Sequence, residues 1–113
     1  MTRGLMDAHD DLILGVFANY SWDAIEAYAV SIALSGFRGR KVLLVWNLAN
    51  EVRSRLKVFG FELIDVPPAN MRVTFAGEFF RHRDKLVAEY LAAHKSEFRF
   101  VFWLDIAQLM RFW

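Results

Sequence analysis

The chain of 113 residues has no cysteine, which excludes disulfides and thiolate metal sites and points to a reducing cytoplasm. Its two prolines stand side by side at Pro67 and Pro68, so no other position carries a proline break. Charge of one sign is also missing: with a formal net charge of +1, no global field steers the protein toward nucleic acid or acidic lipid. The longest charge-free runs, Leu12 to Trp22 and Ala27 to Phe37, fall short of the ~20 apolar residues of a membrane span. The first ten residues carry acids where a signal peptide has its apolar segment, and they are expected to form a flexible lead-in. What is abundant is apolar bulk. A hydrophobic fraction of 56 %, with eleven Phe and four Trp, implies a sheet buried on both faces or a surface covered by something else.

Read in order, residues 11–113 alternate strand and helix as a single domain. Leu12-Ile-Leu-Gly-Val-Phe-Ala18 has the composition of a buried strand, ended by Asn19 and Tyr20. Ser21 is an N-cap residue with Asp23 and Glu26 behind it, and the helix is expected from Trp22 to Ser35. Trp22, Ile25, Ala29, Ile32 and Ala33 make its apolar stripe, and Gly36 supplies the left-handed stop. A strand follows at Lys41–Trp46, then a helix from Ala49 to Phe59 with Leu48, Val52, Leu56 and Phe59 inward. Phe61–Val66 is the third strand, residues 69–77 an irregular connection, and Glu78–His94 a third helix.

The last strand draws attention. Phe98-Arg-Phe-Val-Phe-Trp-Leu-Asp105 is almost continuously apolar until it stops at a carboxylate, and such a run reads as a strand buried on both faces. Beyond it, Ile106, Leu109, Met110 and Trp113 fit a short amphipathic turn capped by Asp105. Three strand–helix–strand units imply an α/β fold in three layers, a mostly parallel four-stranded sheet with helices on both faces. In such a sheet the carboxyl ends of the strands share one rim. That rim gathers Asn19, Tyr20, Ser21, Asn47, the Pro67–Arg72 loop and Asp105. No glycine-rich loop follows the first strand, which argues against a Walker or dinucleotide phosphate site. His9, His82 and His94 lack ligand spacing.

The stretch Trp22-Asp-Ala-Ile-Glu-Ala-Tyr-Ala-Val-Ser-Ile-Ala-Leu-Ser-Gly-Phe-Arg-Gly-Arg-Lys-Val42 resembles the first helix and second strand of bacterial nucleotide-sugar transferases with the GT-A architecture. Phe59-Gly-Phe-Glu62 resembles their exit into the third strand. Tyr90 through Val101-Phe-Trp-Leu-Asp105 resembles the helix and strand that deliver the family's acidic metal motif. The resemblance covers most of residues 11–105 and implies a Rossmann-like fold, the nucleotide-binding half of a GT-A glycosyltransferase.

It further implies a nucleotide-binding site at Asn19, Tyr20, Ser21 and Asp105, with Asp105 as the ligand of a divalent Mn or Mg ion. The motif departs from the family: Ala107 and Gln108 stand where its second acid belongs, so a metal would be held weakly. The implied protein is a glycosyltransferase-like, nucleotide-sugar-binding domain, an incomplete or inactive half whose C-terminal half is missing. Two other readings stand beside it. One is an α/β interaction module that self-associates as a homo-oligomer through an exposed sheet edge and its apolar tail. The other is a small α/β protein using the same rim for an unrelated molecule. Asp105 also has a plain reading as a helix cap.

Overall fold

The computed structural model describes residues 5–66 and 76–104. Four strands, β1 (Leu12–Ala18), β2 (Arg40–Trp46), β3 (Glu62–Asp65) and β4 (Val101–Trp103), alternate with three helices, α1 (Trp22–Leu34), α2 (Asn50–Val58) and α3 (Ala76–His94). The sheet has the order β3-β2-β1-β4, and every neighbouring pair is parallel. The fold is therefore the expected three-layer, Rossmann-like α/β sandwich.

Alternation along β1 divides the core. Leu12, Leu14, Val16 and Ala18 join Val42, Leu44 and Val66 under Leu86, Val87 and Tyr90 of α3. Ile13 and Phe17 join Leu43 and Val45 under Ile25, Tyr28, Ala29 and Ile32 of α1 and Val52 and Leu56 of α2. Both sides are apolar because both sides are covered, which is why β1 reads as an unbroken apolar run. Gly36 (φ +75°) and Gly60 (φ +86°) follow α1 and α2 in the left-handed region, where a side chain would be strained.

The strand expected to be buried on both faces is at the edge. The stretch Phe98–Leu104 is not buried on both faces: β4 has three residues, and Phe100, Val101 and Phe102 are 57 %, 38 % and 47 % exposed. Phe98 is buried, and Trp103 is half-buried against the α3 side. The two-sided strand is β1, whose seven residues are all buried. Composition could not separate the two, since an aromatic run on an edge and an aliphatic run in the centre are equally apolar. On α1 the stripe is also rotated: Ala33 is exposed, and Tyr28 is among the most deeply buried side chains. Arg83 of α3 has a largely buried side chain, with its guanidinium 5.2 Å from the Trp103 ring centroid.

Within the expected lead-in, Ala8–Asp10 form a 3-10 turn capped by Asp7. At this amino edge Asp11 accepts two hydrogen bonds from Arg99, and Arg40 forks onto Glu62 and reaches Glu97, which is also bonded to His94. Ion pairs thus tie the amino ends of all four strands. Among the described residues no helix is long and apolar enough to cross a membrane.

Candidate functional site at the carboxyl edge

Chain order places the sheet's reversal between β1 and β4. β2 and β3 build outward on one side of β1, and the chain then returns to add β4 on the other. Open parallel sheets hold ligands beyond the carboxyl ends of the strands, next to such a reversal.

Each of the first two strands ends in a left-handed asparagine, Asn19 at φ +61° and Asn47 at φ +53°. Asparagine tolerates this region better than most residues with a β-carbon, so both strands can turn sharply at the rim. The Asn19 N–H still donates to the Trp46 carbonyl at 3.2 Å, and the Asn47 side-chain amide donates to Asn19 Oδ1. The two residues that sequence placed on one rim are thus in direct contact. Tyr20 is half-buried, its ring edge-on to Phe17 with centroids 5.7 Å apart. Ser21 takes the N-cap position of α1, and its carbonyl accepts from Ala24 N–H at 3.2 Å. Its hydroxyl makes no capping hydrogen bond, contrary to the expected cap, and the residue is exposed. Asp105, with the turn it was expected to cap, lies outside the described residues, as does the 67–72 loop.

Asp65 is the rim carboxylate that sequence reading missed. It ends β3 level with Val45 of β2, and a carboxylate at the close of a strand was the available signal. Arg53 of α2 donates to both its oxygens, at 2.7 and 3.1 Å, and these bonds hold its carboxyl below the ordinary carboxylate range. Val45, Trp46, Asn47, Asp65 and Val66 line an open cleft of about 410 Å³ beside it. On the opposite flank, Leu104 N–H donates to the Leu14 carbonyl at 3.1 Å, and Tyr28 donates its hydroxyl to the Leu104 carbonyl at 3.0 Å.

Divalent ions need several hard oxygen ligands converging on one point. Among the described residues no group of three or more His, Cys, Asp or Glu side chains could hold a metal ion. Asp65 is committed to Arg53, and Asn19 to Asn47. The described rim offers amide donors and acceptors, a tyrosine, a free serine hydroxyl and the amino end of a thirteen-residue helix. Comparison with family models, curated proteins and solved structures returned no match.

Proposed function

We propose that this protein is a nucleotide-binding α/β domain whose ligand lies at the carboxyl edge of the sheet, beside the boundary between β1 and β4. The observation that carries the reading is the reversal of strand order at β1, with the Asn19–Ser21 turn and the amino end of α1 opening onto it. Unpaired helix amides and the uncommitted Ser21 hydroxyl suit a phosphate, and the half-buried Tyr20 ring and the Asn19 amide suit a base. The resemblance of residues 11–105 to nucleotide-sugar transferases makes a nucleotide sugar the ligand class.

The test is titration of the purified chain with UDP, GDP and their sugar conjugates, followed by backbone chemical shifts and thermal melting. Shifts centred on Asn19, Tyr20 and Ser21, with a ligand-dependent rise in melting temperature, support the reading. Mn²⁺ is added separately, and an increment that Asp105→Ala abolishes assigns the acid a metal role. Shifts scattered over the surface, or none at all, overturn the proposal.

A further inference from the structure

Edge strands expose unpaired backbone groups, and proteins blunt them with charge, proline or bulges. The two edges of this sheet differ in this respect. β3 carries Glu62 and Asp65, each held by an arginine. β4 carries no charge and no proline in Val101-Phe-Trp103, and Phe100, Val101 and Phe102 are exposed beside one another. Arg99, which precedes the exposed run, is paired through its two hydrogen bonds to Asp11 and so does not face a second copy as a bare cation.

Backbone direction narrows the geometry. Leu12 N–H donates to the Phe100 carbonyl, and Leu104 N–H donates to the Leu14 carbonyl. In a parallel ladder alternate residues face the same neighbour, so residues 100, 102 and 104 face β1. The N–H and C=O groups of Val101 and Trp103 therefore face away from it, and among the described residues no strand pairs with them.

We propose that this edge is the contact surface for a second copy of the chain, the two β4 strands pairing antiparallel about a two-fold axis at Phe102. This register sets Val101 opposite Trp103 of the second copy, twice, and so satisfies all the outward groups of both copies with four hydrogen bonds. Phe102 then faces its own mate as a non-hydrogen-bonded pair, the closer kind, with Cα atoms about 4.5 Å apart. Phe100 faces Leu104 of the second copy on the same side of the sheet. Every cross-strand pair is apolar, and aromatic pairs of this kind are favourable. The result is a continuous eight-stranded sheet with an isologous interface. The proposal does not rest on nucleotide binding, since it uses the β4 edge and not the carboxyl rim. Three residues of edge bury less than a standard interface, so the expected Kd is in the range of about 10–100 µM.

Sedimentation velocity on the intact chain, from about 5 to 300 µM, brackets that range. A monomer–dimer equilibrium that disappears in Phe102→Lys, which sets two cations against each other on the axis, supports the proposal. Val101→Pro removes an outward N–H and leaves the β1 ladder intact, so it should weaken dimerisation at least tenfold with the fold retained by circular dichroism. Because the chain has no cysteine, single-cysteine variants test the register. Under oxidised glutathione, which takes up the two electrons and two protons, Phe102→Cys should form a disulfide dimer. Phe100→Cys should not, since its mate would lie four residues away along the pair, about 13 Å. A monomer throughout the range, a dimer that survives Phe102→Lys and Val101→Pro, or equal cross-linking of the two cysteine variants overturns the proposal.

Discussion

Tyr28, in the middle of α1, donates its hydroxyl to the carbonyl of Leu104, just past β4, at 3.0 Å. The bond passes over Gly15 of β1. A β-carbon built on Gly15 would stand 2.7 Å from the Tyr28 hydroxyl, 2.9 Å from Leu43 and 3.2 Å from the Leu104 carbonyl. The one glycine in the most deeply buried strand is thus the gap through which a helix side chain reaches the edge strand. The joint lies where β1 and β4 part toward the candidate site.

Removing either half of this joint should cost stability by different routes. Tyr28→Phe keeps the ring, edge-on to Phe17 at 4.9 Å, and loses only the hydrogen bond, for about 1 kcal/mol. Gly15→Ala forces Tyr28 and Leu43 aside in a packed core and should cost about 1–3 kcal/mol. In the double variant the costs should sum to less than the two singles, since the alanine already displaces the hydroxyl. Urea unfolding of the four proteins measures this, and strict additivity would refute it.

The Asp11–Arg99 pair predicts an acid-sensitive fold. The two hydrogen bonds from Arg99 hold the Asp11 carboxyl below its ordinary value of 3.8 despite burial, which acts the other way. A carboxyl lowered by folding contributes stability that is complete above the unfolded value and is lost as pH falls through the folded one. Wild type should therefore exceed Asp11→Asn in stability at pH 7, and the gap should close below about pH 4. Asp7, Asp65 and Glu97 are lowered by His9, Arg53 and His94 respectively, so the variant keeps part of the acid transition. Denaturant midpoints at pH 3, 5 and 7 check it, and a gap independent of pH counts against the assignment.

Sequence carried the architecture because the two sides of the sheet are covered by elements with strong local signals. β1 was readable residue for residue from its apolar run and the asparagine that ends it. The first two helices were readable from their spacing and the glycines behind them. Sequence did not carry which apolar run is central, because exposure depends on strand order, and order depends on a crossover that returns to the far side of β1. It missed Asp65 and Arg53 because a charged pair twelve residues apart signals nothing until a strand and helix meet. Asp11 and Arg99, 88 residues apart, were further still from view. The contact of Asn19 with Asn47 was foreshadowed by rim logic, while the joint at Tyr28 gave no local sign.

Leu14 is fully buried at the centre of β1, and Phe102 is about half exposed on the edge. Leu14→Ala should cost about 2–5 kcal/mol, in the range found for buried leucines. Phe102→Ala, though it removes more atoms, should cost less than about 1 kcal/mol when measured well below the proposed dimerisation range. Parallel thermal melts at about 2 µM decide it, and the reverse ranking would restore β4 to the core.

The left-handed asparagines allow stability and binding to be separated at the rim. At φ +53° an alanine pays the crowding of its β-carbon, so Asn47→Ala should cost about 1–2 kcal/mol. Glycine pays no such cost in the folded state, and its extra freedom when unfolded costs only about 0.5–1 kcal/mol. Asn47→Gly should therefore unfold later than Asn47→Ala, although both lose the bond to Asn19. If that bond orients the Asn19 amide toward a nucleotide, both variants should lose affinity equally while differing in stability. A glycine variant that binds as wild type does would show that Asn47 serves the turn alone. Melting temperatures and nucleotide titrations of the same two proteins keep the two roles apart.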